Sequence, residues 1–357
     1  MSRPLDVLSL VFPVYNEEQV LPLLLPRVRT LLARLPCEAE VIFVNDGSSD
    51  RSAVLLAQAA AEEPRFKVLE FSRNFGHQVA ITAGIDIAAG DAVVVMDSDL
   101  QDPPELVLEM VEKYRAGYDV VYAQRRSRQG ESWFKRSTAA GFYRLMRTAV
   151  HRDLPDNVGD FRLMSRAVVE AFKQLREQHR FVRGMVTWLG FRQTAIVFDR
   201  PARAAGETKY PLRKMMAFAW RAISSFSGLP LRLAMGVGLT VIAGSAAYTL
   251  WAAACSVAGS PVAGMAWLVC LQCGLFGATL FVLGLMGDYI ARIYDELKER
   301  PLYIVRAAHN LSAERFVDLP RRAAVPIAAR RASDHPRPAP HFRLLHNSPA
   351  AHAGDHY

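Results

Sequence analysis

The sequence predicts an α/β fold with a mainly parallel sheet, followed by two membrane-spanning helices. Three observations predict it. Over residues 1–125, short apolar runs rich in β-branched residues alternate with amphipathic stretches, the pattern of parallel strands joined by helical crossovers. Two carboxylates stand one residue apart, in Asp97-Ser98-Asp99, where one such run stops. From Leu233 to Gly287 the chain carries no Asp, Glu, Lys or Arg.

The elements follow in order. Val7–Phe12 reads as a strand, left through Pro13-Val14-Tyr15-Asn16-Glu17-Glu18 into a helix that reaches about Leu35. Glu40–Asn45 is a second strand, and Asp46-Gly47-Ser48-Ser49-Asp50 is a turn with a helix N-cap. Lys67–Phe71 is a third strand, and Gly76–Ala89 a helix stopped by Gly90. Ala92–Met96 is short, uncharged and β-branched, so it is expected fully buried. Pro103-Pro104 opens a helix over Glu105–Tyr114 with Asp102 as its cap, and Val120–Ala123 is a fifth strand. No G-x-G-x-x-G follows the first strand, which argues against a dinucleotide-binding oxidoreductase.

Open α/β sheets bind ligands beyond the carboxyl ends of their strands. Asp97 and Asp99 stand at such an end, with Gln101 as a neutral oxygen beside them. Hard cations such as Mg²⁺ take one or two carboxylates plus substrate phosphates, so this turn is a candidate metal site for a nucleotide diphosphate. Asp46 ends the second strand, where a carboxylate suits a base N–H, a ribose hydroxyl or an Asx-turn. Pro13, Tyr15 and Glu17 leave the first strand at the same edge and could line a base pocket. His77 opens its helix and could touch a diphosphate or serve the structure alone.

The uncharged stretch would make a helix of about 80 Å, far beyond a hydrocarbon core of about 30 Å. Ser256-Val257-Ala258-Gly259-Ser260-Pro261 breaks it, giving spans at about 233–256 and 263–287 rich in small residues. Arg221 and Arg232 precede the first span; Arg292, Lys298, Arg300 and Arg306 follow the second. Both flanks are therefore expected in the cytoplasm. Residues 211–228 mix basic and aromatic residues as interfacial helices do, while 132–150, of similar composition, fit an interfacial or an ordinary core-facing helix equally. The division expected is a catalytic domain over 1–210, an interfacial helix over 211–230, the spans over 231–290 and a cytoplasmic tail over 291–357. From about Ala307 the tail reads as largely disordered. The net charge of +8 is assigned to membrane and lipid contact, with no nucleic acid partner. Four cysteines make no disulfide framework, Cys270 and Cys273 lie inside an apolar run, and no cleaved signal peptide is read at the start.

Taken in order, PVYNEE, VNDGSSD, SRNFGHQVAITAG, DSDLQDPPE, QRRSRQGESWFKR, GDFRLMSR, FVRGMVTWLGFRQ, GETKYPLRK and ERPLYIV resemble glycosyltransferase family 2. Within it the chain is most similar to the membrane-anchored polyprenyl-phosphate glycosyltransferases, the branch of dolichol-phosphate mannose synthases and bacterial undecaprenyl-phosphate glucosyltransferases. The resemblance runs from about Leu5 to Val305. It implies a GT-A-type nucleotide-sugar domain in which Asp97, Asp99 and Gln101 hold Mg²⁺ or Mn²⁺. Pro13, Tyr15, Glu17, Asp46, Asp97 and Ser98 would bind the nucleotide sugar. Asp160 would be the catalytic carboxylate, with Asp99 and Arg125 also catalytic. Lys135, Arg136, Arg203 and Lys209 would receive the acceptor phosphate. Arg300 belongs to the Glu299-Arg300-Pro301 signature and is given no chemistry.

The activity so implied is inverting transfer of one sugar, glucose from UDP-glucose, to undecaprenyl or another polyprenyl phosphate. The location implied is the cytoplasmic face of a bacterial inner membrane. GDP-mannose, UDP-N-acetylglucosamine, UDP-galactose or a UDP-aminoarabinose remain alternative donors. A processive synthase is disfavoured, because no Q-x-x-R-W motif is present and two spans cannot enclose a channel. A non-catalytic scaffold for nucleotide sugar or lipid is disfavoured by the intact Asp97, Asp99, Gln101 and Asp160. The small-residue spans invite self-association, a tetramer among the forms open to it.

Overall fold

A computed structural model describes residues 3–126, 158–199 and 264–316, with scattered positions between 234 and 258. Eight strands form one sheet: β1 (Val7–Val14), β2 (Glu38–Asn45), β3 (Phe66–Phe71), β4 (Ala92–Val95), β5 (Val120–Arg125), β6 (Val158–Ser165), β7 (Gln193–Phe198) and β8 (Val305–His309), in the order β7-β5-β6-β4-β1-β2-β3-β8. The helices are α1 (Leu21–Arg34), α2 (Ser52–Glu62), α3 (His77–Ile87), α4 (Leu106–Arg115), α5 (Arg166–Lys173), α6 (Val182–Trp188) and α7 (Gly264–Leu297).

β1–β2, β1–β4, β2–β3 and β5–β7 pair in parallel, whereas β6 and β8 run antiparallel to their neighbours. The five expected strands are all present. The insertion of β6 between β4 and β5 was not predicted. Asp160 and Arg162 interrupt its apolar pattern, yet every residue of it is buried. Side chains along β1 alternate between two cores, as a pleated strand requires. Leu10 and Phe12 pack toward α1, α2 and α4, while Val11 faces α3 and the α5–α6 layer. Phe12 stacks on Phe43 at 5.3 Å between ring centroids; burying one such ring contributes about 2–3 kcal/mol. α3 lies close against β1 because residue 84 is glycine: a Cβ there would stand 2.2 Å from Val11 Cγ1.

α7 has 34 residues, about 50 Å of helix. It is the one helix among the described residues long and apolar enough to cross a membrane. Phe276, Phe281, Leu283, Ile290, Ile293 and Leu297 are exposed along it. It does not stop at Gly287 as expected but runs to Leu297, where Asp288 and Arg292 pair one turn apart at 3.1 Å and let the helix carry charge. Of the first expected span, too few positions are described to form an element.

The expectation of disorder from Ala307 is corrected at its start. β8 pairs with β3, and a 3₁₀ turn follows at Ala313–Phe316. β3 would otherwise be an edge strand with unpaired backbone groups. Tyr303 is fully buried, stacks on Phe71 at 5.2 Å and donates its hydroxyl to Asp86 Oδ2 at 2.9 Å. Arg176 also donates to both Asp86 oxygens. The Glu299-to-Val305 signature thus anchors the chain beyond α7 to the sheet domain, a packing duty that composition does not display. The remainder of the 291–357 tail, from 317, lies outside the described residues.

Glu40 fastens the same return segment. Its Oε1 accepts from Ser9 Oγ at 2.6 Å and from the Ala89 N–H at 2.8 Å; its Oε2 takes Lys67 and Arg315, the latter at 2.7 Å. Burial opposes ionisation, but these donors outweigh it and hold the carboxyl at about 2, below the usual 4.5. A folded-state value that is depressed adds stability above the unfolded value and loses it as pH falls through the folded one. That difference corresponds to about 3 kcal/mol at neutral pH. Glu40→Gln is expected to lower Tm at pH 7, with the gap to wild type closing below pH about 4.5. A gap that stays constant down to pH 3 would refute the ionic role.

Candidate active site

Two sequence motifs turn out to be one mesh. The Asn16 N–H donates to Ser48 Oγ at 3.0 Å, the Glu17 N–H to Ser52 Oγ at 2.9 Å, and the Ser49 N–H to Asn16 Oδ1 at 2.9 Å. The turns after β1 and β2 are thereby fixed to each other. Ser98 Oγ donates to the Pro13 carbonyl at 3.0 Å, joining the turn after β4 to the same floor. Tyr15 stands on this floor, exposed. Asp46 is buried, and accepts the Phe75 N–H at 2.7 Å and the Gly76 N–H at 3.0 Å. It therefore holds the turn that enters α3, where Gly76 takes φ +106°, a conformation that favours glycine. His77 is the next residue.

Antiparallel pairing decides what faces the turn after β4. Val95 lies opposite Arg162, so the same register carried two residues onward sets Asp97 against Asp160. Between the two carboxylates stands His77, its Nε2 3.3 Å from Asp97 Oδ1 and 3.4 Å from Asp160 Oδ2. Asp160 is further held by Gln78 Nε2 at 2.9 Å and by Arg183 Nε at 3.3 Å. Burial opposes its ionisation, but Arg183, His77 and Arg162 outweigh it and keep the carboxyl well below the usual carboxylate range. Asp97 goes the other way: burial, with Asp160 and Asp99 nearby, raises its carboxyl against the pull of His77. Desolvation would lower the His77 imidazole, yet the two carboxylates lift it to about 9.

The turn itself is strained. Leu100 takes φ +59°, uncommon for a residue with a Cβ and costly by about 1–3 kcal/mol. The strain lets the Gln101 N–H reach Asp99 Oδ1 at 3.0 Å and turns Gln101 inward. Asp102 is not the helix cap expected: α4 begins at Leu106 and Glu105 precedes it. Asp102 is buried instead beside Arg125, 3.6 Å from its Nη2. Arg125 reaches it by crossing Gly159, where a Cβ would lie 2.9 Å from Nη2.

A divalent cation fits this turn by its donor chemistry. Asp97 Oδ1 and Gln101 Oε1 are buried oxygens that accept no hydrogen bond among the described residues. Hard cations take oxygen donors, and a positive charge would favour the ionised form that burial and the nearby carboxylates oppose at Asp97. No three His, Cys, Asp or Glu side chains among the described residues gather into a protein-only cage. Two carboxylates and an amide oxygen instead suit a cation that shares its remaining positions with substrate phosphates.

The family model of glycosyl transferase family 2 matches residues 9–172, from β1 through α5. The chain is 47% identical over 317 residues to the uncharacterized glycosyltransferase YkcC of Bacillus subtilis, covering 88% of this chain and 98% of that one. It is 41% identical to the bactoprenol glucosyl transferase of Shigella phage SfII, over 85% of this chain and 98% of that one. A prophage bactoprenol glucosyl transferase homolog of Escherichia coli is 38% identical over 84% and 98%.

The chain belongs to glycosyl transferase family 2. It is a glycosyltransferase with a GT-A-like α/β domain. In this glycosyltransferase Pro13, Tyr15, Glu17, Asp46, Asp97, Ser98, Asp99, Gln101, Arg125 and Asp160 all stand on the loops or strand ends at one edge of the sheet. Lys135, Arg136, Arg203 and Lys209, with the stretches 132–150 and 211–228, lie outside the described residues. Sequence reasoning missed Gln78, Arg162 and Arg183 as partners of Asp160. They stand in SRNFGHQ, GDFR and FVRG, stretches the resemblance includes, but nothing local in them announces a shared carboxylate.

Proposed function

We propose that the chain transfers one glucose from UDP-glucose to undecaprenyl or another polyprenyl phosphate, with inversion, aided by Mg²⁺ or Mn²⁺. The observation that carries the reading is the meeting of Asp97 and Asp160 over one His77 nitrogen: a metal-side and an acceptor-side carboxylate at the edge where an α/β sheet binds ligands. The naming of relatives as bactoprenol glucosyl transferases supports the acceptor and the sugar.

In this reading a phosphate oxygen of the lipid attacks the anomeric carbon, and the bond to the diphosphate breaks with its electron pair leaving on UDP. A cation bound by Asp97, Asp99 and Gln101 would neutralise that departing charge. Pro13, Tyr15, Glu17 and Ser98 shape the nucleotide floor, while Asp46 supports it through the turn before His77. Arg125 faces the leaving phosphates. A phosphomonoester with a second pKa near 6 is already mostly ionised at pH 7, so the acceptor needs little help from a base. Asp160, held ionised by Arg183, His77 and Arg162, is a weak base. It positions the acceptor through neighbouring groups and stabilises positive charge at the sugar carbon.

The fold also supports two spans. β8 follows α7 in sequence yet lies in the same sheet as β1–β7. If α7 crosses the bilayer, a second crossing must return the chain, and 233–256 supplies the uncharged segment for it. Positive flanks support the reading that the domain, Lys135, Arg136, Arg203, Lys209 and the C-terminus lie on the cytoplasmic side of an inner membrane.

The test is a panel of UDP- and GDP-sugars with the purified full chain, undecaprenyl phosphate and Mg²⁺ or Mn²⁺. UDP-glucose is expected to yield UDP and a glucosylated lipid, and EDTA to stop it. Transfer from GDP-mannose alone would overturn the donor, and no transfer from any donor by a folded protein would overturn the reaction.

A further inference from the structure

Three features of His77 are unlike those of a histidine that merely packs. Its side chain is 44% exposed, whereas Asp97 and Asp160, the carboxylates it touches, are 25% and 6% exposed. A single nitrogen stands within ion-pair reach of both carboxylates, at 3.3 and 3.4 Å, farther than a settled charge-assisted hydrogen bond of about 2.7–2.9 Å. Its backbone, by contrast, is fixed: Asp46 holds the two preceding N–H groups, and the Gly76 carbonyl accepts the N–H groups of Val79 and Ala80 as α3 begins. A loosely committed donor on a rigid mount, open to solvent, is built to take a third partner.

We propose that His77 is a further catalytic residue of this transferase, an N–H donor that turns from Asp97 and Asp160 to the β-phosphate oxygen released from the sugar. The inference rests on the nucleotide diphosphate reading above. Asp97, Asp99 and Asp160 would together repel an anionic donor, and His77 offers an exposed N–H donor among them. As the bond from the anomeric carbon to the diphosphate oxygen breaks, its electron pair becomes charge on that oxygen. The Nε2–H stabilises this charge by a hydrogen bond, with no proton transfer required. Such a contact strengthens as the bond breaks, so it acts on the transition state and on bound UDP more than on the intact sugar nucleotide.

The test uses the full chain as wild type, His77→Ala and His77→Gln, the last keeping an N–H donor. Binding of UDP and of UMP with Mn²⁺ is measured by calorimetry without acceptor, and kcat is measured with UDP-glucose and undecaprenyl phosphate. His77→Ala is expected to weaken UDP about tenfold, leave UMP unchanged and lower kcat roughly 100-fold, the range seen when one transition-state donor is removed. His77→Gln is expected to recover much of both. UDP and UMP weakened equally would assign His77 to the architecture of the site and overturn the proposal, as would unchanged UDP affinity. The binding arm stands apart from turnover. A wild type that binds UDP but glucosylates no lipid sinks the transfer reaction alone; one that binds neither UDP nor GDP sinks both.

Discussion

Asp97→Asn is expected to lower kcat by roughly 10²–10³-fold, because stabilisation of a leaving diphosphate by a bound cation is worth several kcal/mol and each 1.36 kcal/mol is tenfold. The substitution keeps the shape of the side chain and removes its charge. Asp97 sits where burial and the neighbouring Asp99 and Asp160 already oppose ionisation, so the apo fold loses little when the charge goes. Thermal stability without metal should therefore hold or rise, while Mn²⁺ affinity falls. That opposite movement separates a metal ligand from a structural carboxylate. Loss of stability in parallel with activity, with Mn²⁺ binding intact, would remove Asp97 from the metal site.

Asp160→Asn is expected to be as damaging to turnover, by a different route. Asp160 is the shared counter-charge of Arg183, His77 and Arg162, and removing one partner from a buried ionic cluster commonly costs about 3–5 kcal/mol of stability. Stability and kcat should then both fall. The pH profile of the wild type discriminates between roles. With its folded-state pKa depressed, Asp160 stays ionised through the physiological range, and its contribution is lost only in strong acid. The rate should therefore be flat from pH about 7 to 8 and decline near pH 6, where the lipid phosphate gains its proton. A rate that climbs steeply between pH 7 and 8 would point to a general base with a raised pKa and end the electrostatic role. Asp160→Asn retaining most of kcat at pH 7.5 would end both roles.

The parts of this molecule legible in the sequence are those whose signal is local. Ala92–Val95 is buried on both faces of the sheet, so it reads as an unbroken apolar run, and the change to Asp97-Ser98-Asp99 marks the strand end. The mesh between PVYNEE and NDGSSD was legible as two motifs at one edge but not as hydrogen bonds from Asn16, Glu17 and Ser49 across it. Asp102 misled because a proline pair after an acidic residue mimics a cap, whereas its partner Arg125 comes from β5.

By itself the sequence determined the parallel centre of the sheet, the carboxylate pair at its edge and the apolar helix, since each is a repeat or a break along consecutive residues. Only the tertiary structure decided that β6 enters antiparallel and brings Asp160 against Asp97, that His77 stands between them, and that Tyr303 and β8 carry the chain beyond α7 back to the sheet. Those are pairings between distant segments. Their free energy comes from pairing charges and burying apolar surface against a partner, and no local period along the chain records which partner that is.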